Sequence, residues 1–302
     1  GRPQIDRVRL KYAESSIAEL LSGNVDALGW PRNEDIPAIS NDPDYAVYYE
    51  TYPSNYRAIL WNGRVPALRD PTVRRALTLA IDRAELHEIL LLPAETPYFD
   101  VPFTRRQFFR GEVPPPLPHD PAAARAILDR AGWVDSDGDG IRMKDGRPLS
   151  LDLLISAEEA KGAVFVQQEL AEVGVAVRID QLDLNIVRRR TGIGEFDALS
   201  RIFHMGPAGR YGTAVLYGAE SILGYGNPEV AKLLTAAART PIPDSVDALY
   251  RKSWPHFQRD LPMTYLSPGV RGFVAHRKIR GLRSGTRADV VANLEHLWIE
   301  TE

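Results

Sequence analysis

Cysteine is absent from the 302 residues, which excludes disulfides, thiolate metal sites and cysteine nucleophiles together. Long apolar runs are lacking too. The longest, Ile89-Leu90-Leu91-Leu92, stops at Pro93, well short of the ~20 residues that a membrane-spanning helix needs. An excess of positive charge is also missing: Lys+Arg 37 against Asp+Glu 40 leave a net charge of −3. With a pI near 6.1, the chain does not fit a nucleic-acid binder, whose domain normally has a pI above about 9. Lysine is scarce, 6 residues against 31 arginines, a bias read as genomic base composition and not as function. What is present is ordinary. A hydrophobic share of 44% and a charged share of 25% belong to a globular chain and not to a disordered one. The length predicts about two domains. Gly1-Arg2-Pro3-Gln4 has neither the charged nor the apolar stretch of a secretory leader and no initiator Met, so a processed or truncated chain is expected.

Enzyme motifs are mostly missing as well. His87-Glu88 opens like a zinc-protease helix, but Leu91 stands where the second histidine belongs. There is no G-x-S-x-G elbow and no phosphate-binding loop. Gly192-Ile193-Gly194 lacks the third glycine of a dinucleotide fingerprint and reads as a turn before a strand. A conventional enzyme is not expected. Asp135-Ser136-Asp137-Gly138-Asp139-Gly140 matches the front half of a calcium-binding loop, but its twelfth position is Gly146 and not Glu. Asp135, Asp137 and Asp139 are therefore candidate calcium ligands, beside the plainer reading of an Asp/Gly turn that needs no metal; no other cofactor is indicated. Arg188-Arg189-Arg190 reads as a solvated face.

The patterning is α/β. Alternation over residues 7–12 predicts a strand, Ser16 with Glu19 a helix start, Gly23 its stop and Val25 to Leu28 a second strand, making a β-α-β unit with a parallel pair. Tyr45 to Trp61 is extended and tyrosine-rich. Asp70-Pro71 and Asp120-Pro121 each supply a cap and a first-turn proline, and Asp82 caps a stretch through Leu92. Residues 93–119 read as a long irregular loop. A strand over 149–155, a helix over 158–173 and a strand from Val175 form another β-α-β unit. Asn227-Pro228 opens a helix, Val246 to Trp254 mark one that Pro255 kinks or ends, and residues 261–266 and 272–276 predict two strands.

The stretch Asn62-Gly63-Arg64-Val65-Pro66-Ala67-Leu68-Arg69-Asp70-Pro71-Thr72-Val73-Arg74-Arg75-Ala76-Leu77, followed by Ala80-Ile81-Asp82-Arg83, resembles the signature of family 5 extracellular solute-binding proteins. His119 to Trp133, with the Asp/Gly turn and Gly146-Arg147-Pro148-Leu149, resembles a second hallmark of that family. Phe196-Asp197, Gly224 to Val230 and Asp260-Leu261-Pro262 add matches in the expected order.

The resemblance implies a periplasmic-binding-protein type II-like fold with one complete lobe (lobe II, residues 45–266) and a remnant of lobe I (residues 1–44 and 267–302). Hinge crossings are expected near 45–53 and 261–268. It implies a non-catalytic, extracytoplasmic component of an ABC importer, periplasmic or lipid-anchored at the cell surface. Its partners would be a peptide-like or other small polar solute and a permease. Contact with a membrane would come only through an anchor outside this chain, and no nucleic acid is implied. The other reading is a ligand-sensing domain of a regulator or receptor. Family members are usually longer, so a chain lacking most of lobe I is expected. By the family pattern the ligand strand follows Phe196-Asp197, with Phe203 at the aromatic position and Gly206 where dipeptide-type members carry an Asp for the α-ammonium. A buried ammonium without a counter-charge is costly, which weighs against the usual docking of a free peptide amine. The expected ligand-binding residues are Phe203, His204, Met205, Arg210, Tyr211 and Tyr52. Arg210 would take a carboxylate or phosphate, or else be a solvent-facing loop residue.

Overall fold

The computed structural model describes residues 5–11, 17–93, 96–104, 107–108, 110–204, 221–282 and 296–300; the side chains of 52–54 and 204 lie outside this description. The chain forms two compact units. One comprises Gly1–Tyr52, Leu90–Thr96 and Gly269–Glu302, and the other Pro53–Ile89 and Pro97–Pro268.

In chain order, α1 (Ile17–Leu21), β1 (Ala27–Gly29) and α2 (Ile36–Ser40) precede the long strand β2 (Tyr45–Trp61). After β2 come α3 (Pro66–Arg69), α4 (Pro71–Ala80), α5 (Arg83–Ile89) and α6 (Pro121–Arg130). The cap readings hold at atomic level: an Asp70 oxygen accepts the Thr72 N–H at 2.8 Å and an Asp120 oxygen accepts that of Ala123 at 2.8 Å, which satisfies amides a helix start leaves orphaned. The hairpin β3 (Met143–Lys144) and β4 (Arg147–Pro148) follows, then β5 (Ser150–Ile155), α7 (Ala160–Ala171), β6 (Ala176–Gln181), α8 (Leu184–Ile193) and β7 (Ala198–His204). The expected turn at Gly194 is the left-handed cap of α8, with φ of 70°. Finally come α9 (Pro228–Arg239), α10 (Pro243–Asp260), β8 (Met263–His276), β9 (Ile279–Arg280) and β10 (Trp298–Ile299).

In the larger unit the strand order is β8-β2-β7-β5-β6. β5 runs parallel to β6 and to β7, whereas β2 runs antiparallel to β7 with Tyr56 opposite Phe203. The expected second β-α-β unit is β5-α7-β6. The core of this unit gathers Tyr56, Leu60, Phe99, Phe103, Leu199, Phe257 and Tyr265. The Tyr56 ring meets Phe99, Phe103 and Tyr265 edge-on at 5.3, 5.5 and 5.5 Å, the arrangement that aromatic quadrupoles favour. In the smaller unit β1 pairs with the second half of β8, and two small clusters form, one around Leu20, Ile39 and Val274 and one around Phe273, Ile279 and Leu297.

Three expectations are corrected and a fourth is narrowed. Residues 7–11 carry no strand: Leu10 is 71% exposed and Val8 41%, so their alternation buries nothing. β1 is antiparallel to β8 and not part of a parallel pair, since residues 7–11, its expected partner, carry no strand. Of the two outcomes expected at Pro255, an end is excluded, because α10 runs on to Asp260. Pro255 and Arg251 both lie on the exposed face, where water can take the carbonyl that the missing N–H leaves free. Residues 263–276 are one strand where two were expected. In addition, α5 stops at Ile89, ahead of Leu92, and Leu91 turns out with φ of 54°.

Candidate functional site

Because β5 and β7 are parallel, their carboxyl ends reach the same edge of the sheet, the place where open α/β sheets most often take ligands. Charged side chains gather there. Glu159, in the single 3₁₀ turn between β5 and α7, is 2% exposed and forms an ion pair with Arg57 of β2, itself only 16% exposed. Burial pushes the Glu159 carboxyl upward, and the charge of Arg57 opposes that shift. Arg201 of β7 is half-buried. Burial lowers its guanidinium first and Arg188 adds to that, while Glu159 and Glu158 counter both. Charged residues inside strands that otherwise read as core, Ala58-Ile59-Leu60 and Ala198-Leu199, are the sequence signal that could have found this cluster.

Phe203 lies at this end of β7. It is half-buried, packs against the core of the larger unit and lies 6.0 Å from the Arg201 guanidinium carbon. The side chains of His204 and Tyr52, and all of Met205, Arg210 and Tyr211, lie outside the described residues, as does Gly206.

The signature residues have other duties. Arg74 is 5% exposed, and its guanidinium donates to the carbonyls of Leu68, Arg69, Asp260 and Leu261, at 2.6 Å to Leu68 and 3.0 Å to Leu261. It thereby closes the carboxyl ends of α3 and α10, where unpaired carbonyls and the negative dipole end favour a cation. Asn62 is 3% exposed and donates to the carbonyls of Gly194 and Phe196, tying the turn after β2 to the start of β7. Arg83 pairs with Asp100 at 2.6 Å and lies 4.7 Å from the centroid of Tyr98. In the second hallmark, Arg142 donates to Trp133 and Val173 and to Asp129. Gly174, with φ of 83°, must be glycine there, since a Cβ would lie 2.7 Å from the Arg142 Cγ.

A cavity of about 430 Å³ opens beside this scaffold, lined by Trp61, Arg69, Arg74, Tyr225, Asn227 and Asp260 among others. Its polar groups bind one another. Asp260 accepts from Tyr225 at 2.5 Å, from Asn227 at 3.1 Å and from Arg259 at 2.6 and 2.9 Å. Burial would raise the Asp260 carboxyl, but the hydrogen bonds from Arg259, Tyr225 and Asn227 outweigh it and hold the carboxyl below the usual range. The same burial and the adjacent carboxylate push the Tyr225 hydroxyl well up.

Asp135, Asp137 and Asp139 are exposed, and one oxygen from each lies within 4.8 Å of the others. Both Asp135 oxygens accept backbone amides, from Gly138 at 2.8 Å and Gly140 at 3.1 Å, and Asp139 accepts that of Ile141 at 2.8 Å. These backbone amides brace the turn. At the far end, Asp145 with φ of 52° and Gly146 with φ of 71° form the β3–β4 turn.

Comparison with known families gives one model match, to the middle region of the bacterial extracellular solute-binding proteins, family 5, over residues 1–212. The chain belongs to that family. It is 24% identical to the oligopeptide-binding protein AppA of Bacillus subtilis over 99% of its own length and 57% of that protein, and 26% identical to the di/tripeptide-binding protein 2 of Pseudomonas aeruginosa over 66% and 36%. The chain thus spans about half the length of the curated relatives it matches. Among solved structures, AppA of Bacillus subtilis in complex with a nonapeptide superposes with a TM-score of 0.73 at 21% identity, covering 94% of this chain and 58% of that one. NikA of Brucella suis in complex with Fe(III)-EDTA superposes with a TM-score of 0.77 at 20% identity, covering 94% and 59%. The mixed α/β fold is that of the type II periplasmic binding proteins. No helix among the described residues is long and apolar enough to cross a membrane.

Proposed function

We propose that this family 5 chain belongs to a non-catalytic, extracytoplasmic protein that captures a peptide-like or other small polar solute and delivers it to the permease of an ABC importer. The observation that carries the reading is the family match over residues 1–212, joined to relatives named for oligopeptide and di/tripeptide binding. The carboxyl edge of β5 and β7 supports it, with Phe203, Arg201 and the Arg57–Glu159 pair arranged as a half-buried polar and aromatic floor of the kind that orients small ligands. His204, Met205, Arg210, Tyr211 and Tyr52 are proposed to complete the ligand contacts, and residues 45–53 and 261–268 to be the hinge crossings.

The test uses the complete gene product. Protein purified from its own cells is denatured, the small molecules it releases are identified by mass spectrometry, and each is titrated back by calorimetry. Stoichiometric, unaltered recovery of a small polar compound that rebinds is the expected result. A compound that is chemically converted on incubation, without tight binding, would overturn the reading.

A further inference from the structure

A guanidinium taken out of water needs partners, because it carries several N–H donors and a charge that apolar surroundings disfavour. In the larger unit Arg57, Arg74, Arg83, Arg142 and Arg190 follow that rule, each with a carboxylate or a carbonyl in reach. Arg201 does not. It is half-buried, yet among the described residues its guanidinium makes no hydrogen bond and no ion pair; what it meets is the Phe203 ring, at 6.0 Å. The nearby carboxylates are committed elsewhere or remote. Glu159 pairs with Arg57, and Arg201, opposite Ala58 in the register, lies on the other face of the sheet from Arg57. Glu158 is exposed, and the charge of Arg188 adds to the excess of cations.

The position is as informative as the charge. The register of β5 with β7 ends at Leu154 and Leu199, whereas β2 accompanies β7 as far as His204. The chain leaves β5 through α7 toward β6, and leaves β7 through α9 and α10 toward β8, on the opposite side of the sheet. Adjacent parallel strands whose connections part in this way open a crevice at their carboxyl ends, where open α/β sheets take ligands. Arg201 and Phe203 stand at that crevice, within one unit.

We propose that Arg201 is the anion receptor of this site, and that the solute carries an oxyanion group, a carboxylate or a phosphate, which the guanidinium fork binds beside the Phe203 ring. The fork matches either group with two parallel hydrogen bonds, and the charge of Arg188 strengthens the field that draws it in. The inference rests on the solute-binding reading above and adds to it the charge of the solute and the residue that reads it. A scaffold role does not account for Arg201. It ties down no carbonyl and no carboxylate, and burial disfavours its charged form, with Arg188 adding to that and Glu159 and Glu158 opposing it. Stability and affinity therefore respond in opposite directions when the charge is removed.

The complete gene product is titrated by calorimetry with matched pairs that differ in the acid group. The pairs are N-acetylated di- to tetrapeptides as free acids and as C-terminal amides, galacturonate beside galactose, and glucose 6-phosphate beside glucose. Any acidic compound that the native protein releases on denaturation joins the panel. At least one acid should bind, and its neutral partner should bind about tenfold to a hundredfold more weakly; a peptide or sugar acid assigns a carboxylate, the sugar phosphate a phosphate. Arg201→Met should keep or raise the melting temperature and weaken the acid by about the same factor. Arg201→Lys, which keeps the charge without the fork, should fall between. An Arg201→Met protein that binds the acid as tightly as wild type overturns the inference, and so does one that melts clearly lower, since it has lost a scaffold residue. A neutral partner that binds as tightly as its acid overturns it too. Wild-type protein that binds only neutral or cationic compounds overturns it and leaves the proposed function standing. Protein that retains and rebinds nothing, and binds no member of the panel, fails the proposed function itself, and this inference with it.

Discussion

Two arginines lie on aromatic rings at almost the same distance, Arg83 at 4.7 Å from Tyr98 and Arg271 at 4.8 Å from Trp30, in different surroundings. Arg83 is 2% exposed and is tied to Asp100 and to the carbonyls of Leu117 and Tyr265. Its burial and its partners agree with the fold, and they outweigh the helix dipole that a cation in the first turn of α5 opposes. Trp30 is 57% exposed with a backbone that local preference opposes. The contact is the same; the burial and the backbone around it differ. The residues that made the family legible, Asn62, Arg74 and Arg83, are buried staples, so the family signature marks the framework and not the ligand.

The sharpest way to break this contrast is to remove each cation. Arg83→Met leaves Asp100 buried, 4% exposed, without its counter-charge, and should cost about 3–5 kcal/mol of stability. Arg271→Met, at a half-buried position, should cost less, about 1 kcal/mol. Denaturant unfolding of both variants measures the gap, and equal losses would erase the distinction.

Phe203→Ala tests which side of the contrast β7 falls on. If Phe203 serves the core of the larger unit, the variant should lose about 2 kcal/mol of stability, half or so of a fully buried aromatic truncation, and its solute affinity should follow stability alone. A selective loss of affinity at unchanged melting temperature would place the ring in the site.

A smaller effect is expected at the scaffold's cavity. The Asp260 carboxyl is held below its ordinary value, so its ionised form stabilises the fold above the unfolded value near 4, and that contribution is lost as pH falls through the folded value. Asp260→Asn should therefore cost about 1–2 kcal/mol at pH 7, with a deficit that shrinks below pH ~4. Thermal melts of both proteins from pH 3 to pH 7 check the sign, and a deficit that grows in acid would reverse it. The smallest effect belongs to the acidic turn. With Asp135 already satisfied by the Gly138 and Gly140 amides, millimolar calcium should move the melting temperature by less than about 1 °C, as for an exposed surface change. A larger rise, abolished by Asp137→Asn, would make the turn a metal site.

Local readings succeeded where short-range chemistry decides. Asp70, Asp120 and Asn227 accept helix-start amides from residues two or three further on, and Gly23, Gly132 and Gly174 sit at positive φ where a turn demands it. They failed where the deciding partner is remote. The alternation at 7–11 finds no strand to pair with, and β1 pairs with a strand some 245 residues later in the chain, Leu28 opposite Val274. No pattern near residue 28 announces that partner. The same holds for Arg57, whose counter-charge at Glu159 stands 102 residues away.

From the amino acids alone come the α/β class, the capped helices, the β5-α7-β6 unit, the absence of thiol chemistry and the membership of family 5, because each rests on composition or on spacings within a few turns of chain. Tertiary structure alone decided that Arg74 and Arg83 are buried staples, that β8 runs unbroken, and that Trp30 is held strained and exposed beside Arg271. Burial, register and strain are set by partners brought together from distant parts of the chain, and no local pattern encodes where those partners arrive.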